Sequence, residues 1–264
     1  MTLKKLGLAL AITAAAGSAN AAFSLTSDDA GNTQGSSLVF AAYDSAAFKT
    51  IYVDLGPEYH NFDLNANQSF DLSAAAAEQG VSLSNAMWTV VAGDGFAGGG
   101  SCGLSDLASC GRGYMATVND VNSLSSTYIT SSMSAAMNGV NNSWFLNVYA
   151  GINASATNSN SVEDGNFGEW NGGAASANSL PGWQTTGMTG DSLGFAVAST
   201  YGIVGQRGWG ESAEAVVSTY GLWSLDANGG LSYSVSAVPV PAAVWMFASG
   251  LIGMAGVARR RKQA

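Results

Sequence analysis

The residues from Ala242 to Ala258 include no charged side chain, and Arg259, Arg260, Arg261 and Lys262 follow them directly. No other feature restricts the folding of the chain so strongly, because such a stretch has one comfortable environment. As an α-helix rising ~1.5 Å per residue it reaches about 25 Å. With the four residues from Val238 to Pro241 in front, it approaches the ~30 Å hydrocarbon core of a bilayer. Pro241 suits the first helical turn, where its missing N–H costs nothing. Gly250, Gly253 and Gly256 weaken a helix in water but are ordinary in membrane helices, where small residues let backbones approach. Trp245 stands near one end, as an interfacial aromatic would. A buried core helix would need no basic stop and would show a polar face. The pattern predicts a transmembrane helix with its cations on the cytoplasmic side and everything before it outside.

The other end of the chain agrees. Lys4 and Lys5 make a positive n-region, Leu6 to Ala16 an apolar h-region, and Ala19-Asn20-Ala21 a small-x-small cleavage site, the parts of a secretory signal peptide. The apolar run is short for a permanent span, which is the competing reading. The tail itself, Val238-Pro239-Val240-Pro241 followed by the apolar run and Arg259-Arg260-Arg261-Lys262, resembles the PEP-CTERM sorting signal of Gram-negative bacteria. Val240 stands where the commoner form has Glu. The resemblance covers Val238 to Lys262 alone. It implies an exosortase-type membrane protease as partner, an inner-membrane stage before processing, and delivery to the outer surface or extracellular matrix. The expected organisation is a signal peptide over 1–21, a passenger domain over 22–237 and a sorting signal over 238–264.

Without the two targeting segments the passenger keeps Lys49, Arg112 and Arg207 against all 18 acidic residues, a net charge of −15. Such a domain repels nucleic acid and anionic lipid, so neither is expected as a partner. Lean in charge and rich in Ser, Asn, Gly and Ala, it is long enough for one core and predicts a mainly β, sandwich-like domain with one or two helices. Strands are expected over 37–43, 50–55 (closed by Gly56-Pro57), 86–92 and 193–201. A hairpin is expected across Asp226 to Gly230, on its Asn228-Gly229. Asp71 is placed to cap a helix over 72–79 that stops at Gly80. Apolar residues near three- and four-residue steps predict a second helix over 119–138, and strict alternation predicts a strand over 143–152.

Cys102 and Cys110 are the only cysteines. In an exported chain, at this spacing, they are expected to form a disulfide closing a small loop, worth roughly 2–3 kcal/mol. A metal site needs more thiolate or imidazole ligands, and a redox pair is usually C-x-x-C. No catalytic or metal site is read from the sequence. Gly190-Asp191-Ser192-Leu193 spells the nucleophile motif of GDSL-type hydrolases, but the lone histidine, His60, lies far upstream instead of downstream of the serine. Glu163, Asp164 and Glu169, or Glu211 and Glu214, are carboxylates close enough in sequence for glycosidase chemistry, although spacing alone does not separate them from solvated acids. Asp28-Asp29 and Asp164-Gly165-Asn166 offer oxygens to calcium without a complete binding loop, so no cofactor is assigned.

Trp170, Trp183 and Trp209 fall in Gly- and Asn-rich stretches expected to be loops. A tryptophan face beside amides and carboxylates is what stacks on and hydrogen-bonds a sugar, which makes these three the candidate glycan-binding residues and exopolysaccharide the candidate ligand. The competing reading has them plug the ends of the β core. The sequence thus favours a non-enzymatic surface or matrix structural or adhesion protein, with a polysaccharide-binding module as first rival and a secreted hydrolase as second.

Overall fold

In the runs Leu38-Val39-Phe40-Ala41-Ala42 and Ile51-Tyr52-Val53 every position is apolar, so strands built from them must be covered on both faces. The computed structural model, which describes Phe23 and residues 36–94, 113–129, 146–163, 183–199 and 214–235, meets that demand with one sheet. Its strands are β1 (Ser37–Asp44), β2 (Lys49–Glu58), β3 (Gln68–Asp71), β4 (Met87–Asp94), β5 (Gly113–Val118) and β6 (Thr127–Ile129), then β7 (Ser159–Glu163), β8 (Gly187–Met188), β9 (Ser192–Ser199), β10 (Glu214–Leu225) and β11 (Gly230–Ser234). The helices are α1 (Ser73–Gln79) and α2 (Leu146–Ala154). All strand pairs are antiparallel. The order is β3-β11-β10-β9-β5-β4-β1-β2-β7, with β6 beside β10 and β8 beside β4.

The sheet curls. Helix α1 follows directly on β3 at one edge, yet Gln79 at its end donates from Nε2 to the Ser159 carbonyl (3.3 Å) and to its Oγ (3.2 Å) on β7 at the other edge. Inside the curl lies the larger core. It holds Leu38, Phe40, Trp88, Val90, Phe195, Trp223 and Tyr233, with Ala75 and Ala76 of α1. Phe62, from the turn after β2, packs between Phe195, Trp223 and Tyr233 at ring distances of 5.2–5.8 Å. On the opposite face Val39, Ala41, Tyr52, Val91, Tyr114 and Ala196 form a second core, covered by Val148 and Ile152 of α2 and by Trp183. The expected sandwich of two sheets is therefore one sheet with an apolar layer on each side, and its covers are helices and loops.

Local chemistry explains most boundaries. Gly80 ends α1 at φ +66°, a left-handed position that glycine enters freely. The N-cap of that helix is Leu72, with no side-chain cap, instead of Asp71, which accepts the Ser73 amide at 2.9 Å from one residue further out. In the β10–β11 hairpin, Asp226 Oδ1 accepts the amides of Asn228 (2.7 Å) and Gly230 (3.0 Å), and Gly229 takes φ +91°. Gly56-Pro57 does not close β2. The strand runs on to Glu58 through an irregularity opposite Ser37–Val39, with Gly56 at φ +94°. A bulge also interrupts β10 between Thr219 and Leu222. There the Gly221 amide donates to Tyr233 Oη (3.0 Å), which in turn donates to the Leu64 carbonyl (2.9 Å).

Two assignments of helix and strand are overturned as well. Residues 119–129 are no helix. Asp120 accepts the Asn122 amide at 2.9 Å and opens a single 3₁₀ turn over Val121–Ser123, after which Thr127–Ile129 pair with β10 as β6. The Asn- and Ser-rich composition here favours such local side-chain hydrogen bonds over a helix. Residues 146–152, expected within the strand over 143–152, belong to helix α2. Val148 and Ile152, four apart, are buried against the sheet while Ala150 is exposed. The alternation contained a helical spacing as well, and the uncovered outer face of the sheet decided between them.

Candidate functional site

Of the three candidate glycan-binding tryptophans, only Trp183 lies among the described residues. It is 2 % exposed, packed in the outer core with its ring 5.4 Å from that of Tyr114. A sugar cannot stack on a face already covered, so Trp183 is a core residue. That is the place the reading of these tryptophans as plugs of the β core gives it. Burial also raises the Tyr114 hydroxyl far above the usual tyrosine range. Trp170, Trp209, Cys102, Cys110, the sorting motif Val238 to Pro241 and the basic stop Arg259 to Lys262 lie outside the described residues.

The GDSL letters form a turn. Gly190 adopts φ +94° and its amide donates to the Leu225 carbonyl at 3.0 Å. Asp191 Oδ2 accepts the Met188 amide at 2.7 Å, closing the link between β8 and β9. Ser192 is the first residue of β9 and pairs with Ser224. His60 is exposed in the turn after β2, its ring edge-on to Tyr59 at 4.8 Å. Strands β5, β4 and β1 separate β9 from β2 in the sheet order. Among the candidate glycosidase acids, Glu163 sits at the end of β7 and faces Lys49 at 3.8 Å. Asp164, Glu169 and Glu211 lie outside the described residues, as do Asp28, Asp29 and Asn166. Among the described residues no three His, Cys, Asp or Glu side chains gather closely enough to hold a metal ion.

What the structure does gather is polar order within an apolar sheet. Thr117, fully buried, sits where β4 exchanges β5 for β8 as its neighbour. Its Oγ1 accepts the Val90 amide (3.1 Å), donates to the Thr185 carbonyl (2.7 Å) and lies 2.8 Å from Thr89 Oγ1. It thereby satisfies groups that the missing strand would otherwise pair. Across β9, β10, β11 and β3, Ser192, Ser224, Ser232 and Ser69 stand in one register row, with 2.9 Å between the hydroxyls of Ser224 and Ser232. This row lies on the face away from Trp223 and Leu231, with exposed Asp71 beside it on the same face of β3.

Asp54 is the group that the sequence reading missed. It sits on β2 only 7 % exposed, and burial pushes its carboxyl up to about 6 against the hydrogen bonds that stabilise the anion. Those bonds come from the Gly56 amide (2.8 Å) and Ser37 Oγ (3.1 Å), while the nearby Glu58 charge raises the value further. An aspartate inside the apolar run Ile51-Tyr52-Val53-Asp54-Leu55 was the available signal. No known protein family, no curated protein and no solved structure matches the chain.

Proposed function

We propose that the chain is an exported surface or extracellular-matrix protein with a structural or adhesive role, delivered through its C-terminal sorting signal. The observation that carries this reading is the tail: Val238-Pro239-Val240-Pro241, an uncharged span from Ala242 to Ala258, and Arg259 to Lys262. A span of that composition partitions into lipid, and the four cations do not follow the passenger across. The tail holds the passenger at the inner membrane until an exosortase-type protease acts at the proline motif. The signal peptide over 1–21 starts the export.

The passenger suits that destination. Its charge is sparse and almost entirely negative, and its exposed strand positions carry hydroxyls such as Ser69, Ser192 and Ser234. Exopolysaccharide is the partner this chemistry favours, since neutral hydroxyl surfaces hydrogen-bond sugars without needing counter-charge. A comparison of two chains tests the reading, the full protein and a variant ending at Ala237. Protease added to intact cells should degrade the full protein, while the truncated one accumulates in the periplasm. Equal surface exposure of both, or retention of both in the cytoplasm, overturns it.

A further inference from the structure

Strands β1 and β2 are joined by Ser45-Ala46-Ala47-Phe48, and Phe48 holds φ +53°. That left-handed conformation is disfavoured for an L-residue because Cβ approaches the following carbonyl. Glycine or asparagine normally occupies it, and a bulky side chain there is an outlier. Strain of this kind often marks a functional position. Phe48 is also the most exposed large apolar residue described, at 61 %, so packing among the described residues does not account for its conformation.

The turn is held rigidly. Asp44, 7 % exposed, accepts the amides of Ala46 (2.9 Å) and Ala47 (3.2 Å) on Oδ1 and that of Ser82 (2.8 Å) on Oδ2. One carboxylate therefore ties the hairpin tip to the stretch Ser82–Ser84, whose two exposed hydroxyls lie 3.0 Å apart. Register places Met188 at this same end of the sheet, since Tyr43 pairs with Met87 and Met87 with Met188, which is 38 % exposed. The neighbouring cation, Lys49, faces Glu163 at 3.8 Å. The tip thus offers one presented aromatic ring on a turn whose Asp44 also anchors the serine stretch, and Lys49, next to Phe48 in sequence, faces a carboxylate.

We propose that this tip is a contact site for a neutral polysaccharide. The Phe48 ring stacks on the C–H face of a sugar, whose partly positive hydrogens meet the negative π face. Ser45, Ser82 and Ser84 hydrogen-bond the sugar hydroxyls. Two other occupants fit less well. Anionic lipid is repelled by a chain of net charge −9, and one phenylalanine beside two alanines is a weak anchor for any bilayer. A stable protein partner needs roughly 1,200 Å² of buried surface or more, which a four-residue turn does not supply. The assignment rests on the reading of the chain as an exported matrix or surface protein, and it names the residue that would meet the glycan.

Affinity electrophoresis of the full chain in detergent, through gels containing a neutral glucan, mannan or galactan, tests it. The wild type should be retarded by at least one of the three. Phe48→Asn, which accepts a left-handed backbone, should weaken that retardation about tenfold while its urea midpoint stays level or rises. Phe48→Tyr, which keeps the ring, should retain binding. No retardation of the wild type in any gel, equal retardation of Phe48→Asn, or a lower urea midpoint for that variant each overturns the proposal. So does Phe48-dependent retention on phosphatidylcholine vesicles, or Phe48-dependent dimer formation, in place of glycan binding. Such a failure leaves the export reading standing, because surface exposure in cells judges that separately.

Discussion

Asp54 and Thr117 show how single polar groups set the stability of an otherwise apolar sheet. The Asp54 carboxyl moves from 3.8 to about 6 on folding, and desolvation is the main cause. The folded chain then binds more protons than the unfolded one between these values, so stability falls as pH rises through that window and levels off above it. The effect is on the order of 3 kcal/mol. Exposed Glu78 works the other way. Hydroxyls of Thr157 and Ser155 hold its carboxyl below the usual range, and their contribution is lost only as pH falls through that lowered value. Urea midpoints should therefore decline from pH 4 to pH 6 in the wild type. Asp54→Asn should flatten the decline and gain stability at pH 7; an unchanged slope in the variant would refute the assignment. Thr117→Val removes the acceptor of the Val90 amide and the donor to the Thr185 carbonyl. It should cost about 1–3 kcal/mol in chemical denaturation, with Thr117→Ser restoring most of it. Neither role is legible in sequence, because Thr89, Thr117 and Thr185 read as ordinary strand or loop residues until the sheet brings them together.

At the scale of elements, what could be read in advance was whatever local chemistry dictates. Gly80 stops α1, Asn228-Gly229 turns the last hairpin, and the apolar runs of β1, β2, β4 and β9 are strands. Two elements were misread, for different reasons. Over 119–129 the apolar spacing was incidental, and the Asp120 side chain together with pairing to β10 broke the helix it suggested. Over 146–154 both periods were present, and only the need to cover Tyr52, Val91 and Ala196 chose the helix. Gly151 helps, because a Cβ there would collide with the Asn160 side chain on β7. Substitutions separate the two readings of α2. Ile152→Ala should cost about 2–5 kcal/mol, whereas Ala150→Glu should change stability by no more than about 0.5 kcal/mol. A strand would place Ala150 on the same face as Val148 and Ile152, and Ala150→Glu would then be as damaging as Ile152→Ala. Trp183, in a loop-like stretch, covers the same outer face, as the core-plug reading of the tryptophans has it.

For the whole molecule, the curled sheet and its destination are separate claims. Among the described residues, the sheet has an apolar layer on each side, with α1 reaching from one edge to the other. The sorting account rests instead on an uncharged terminal segment seeking hydrocarbon while the arginines behind it stay in the cytoplasm. Intact-mass spectrometry of the protein recovered from each cell fraction addresses this most directly. The account predicts chains that begin near Ala22 in every exported fraction and, at the surface or in the medium, end close to Val238. Full-length chains from Met1 to Ala264 found only in the soluble cytoplasm would contradict it.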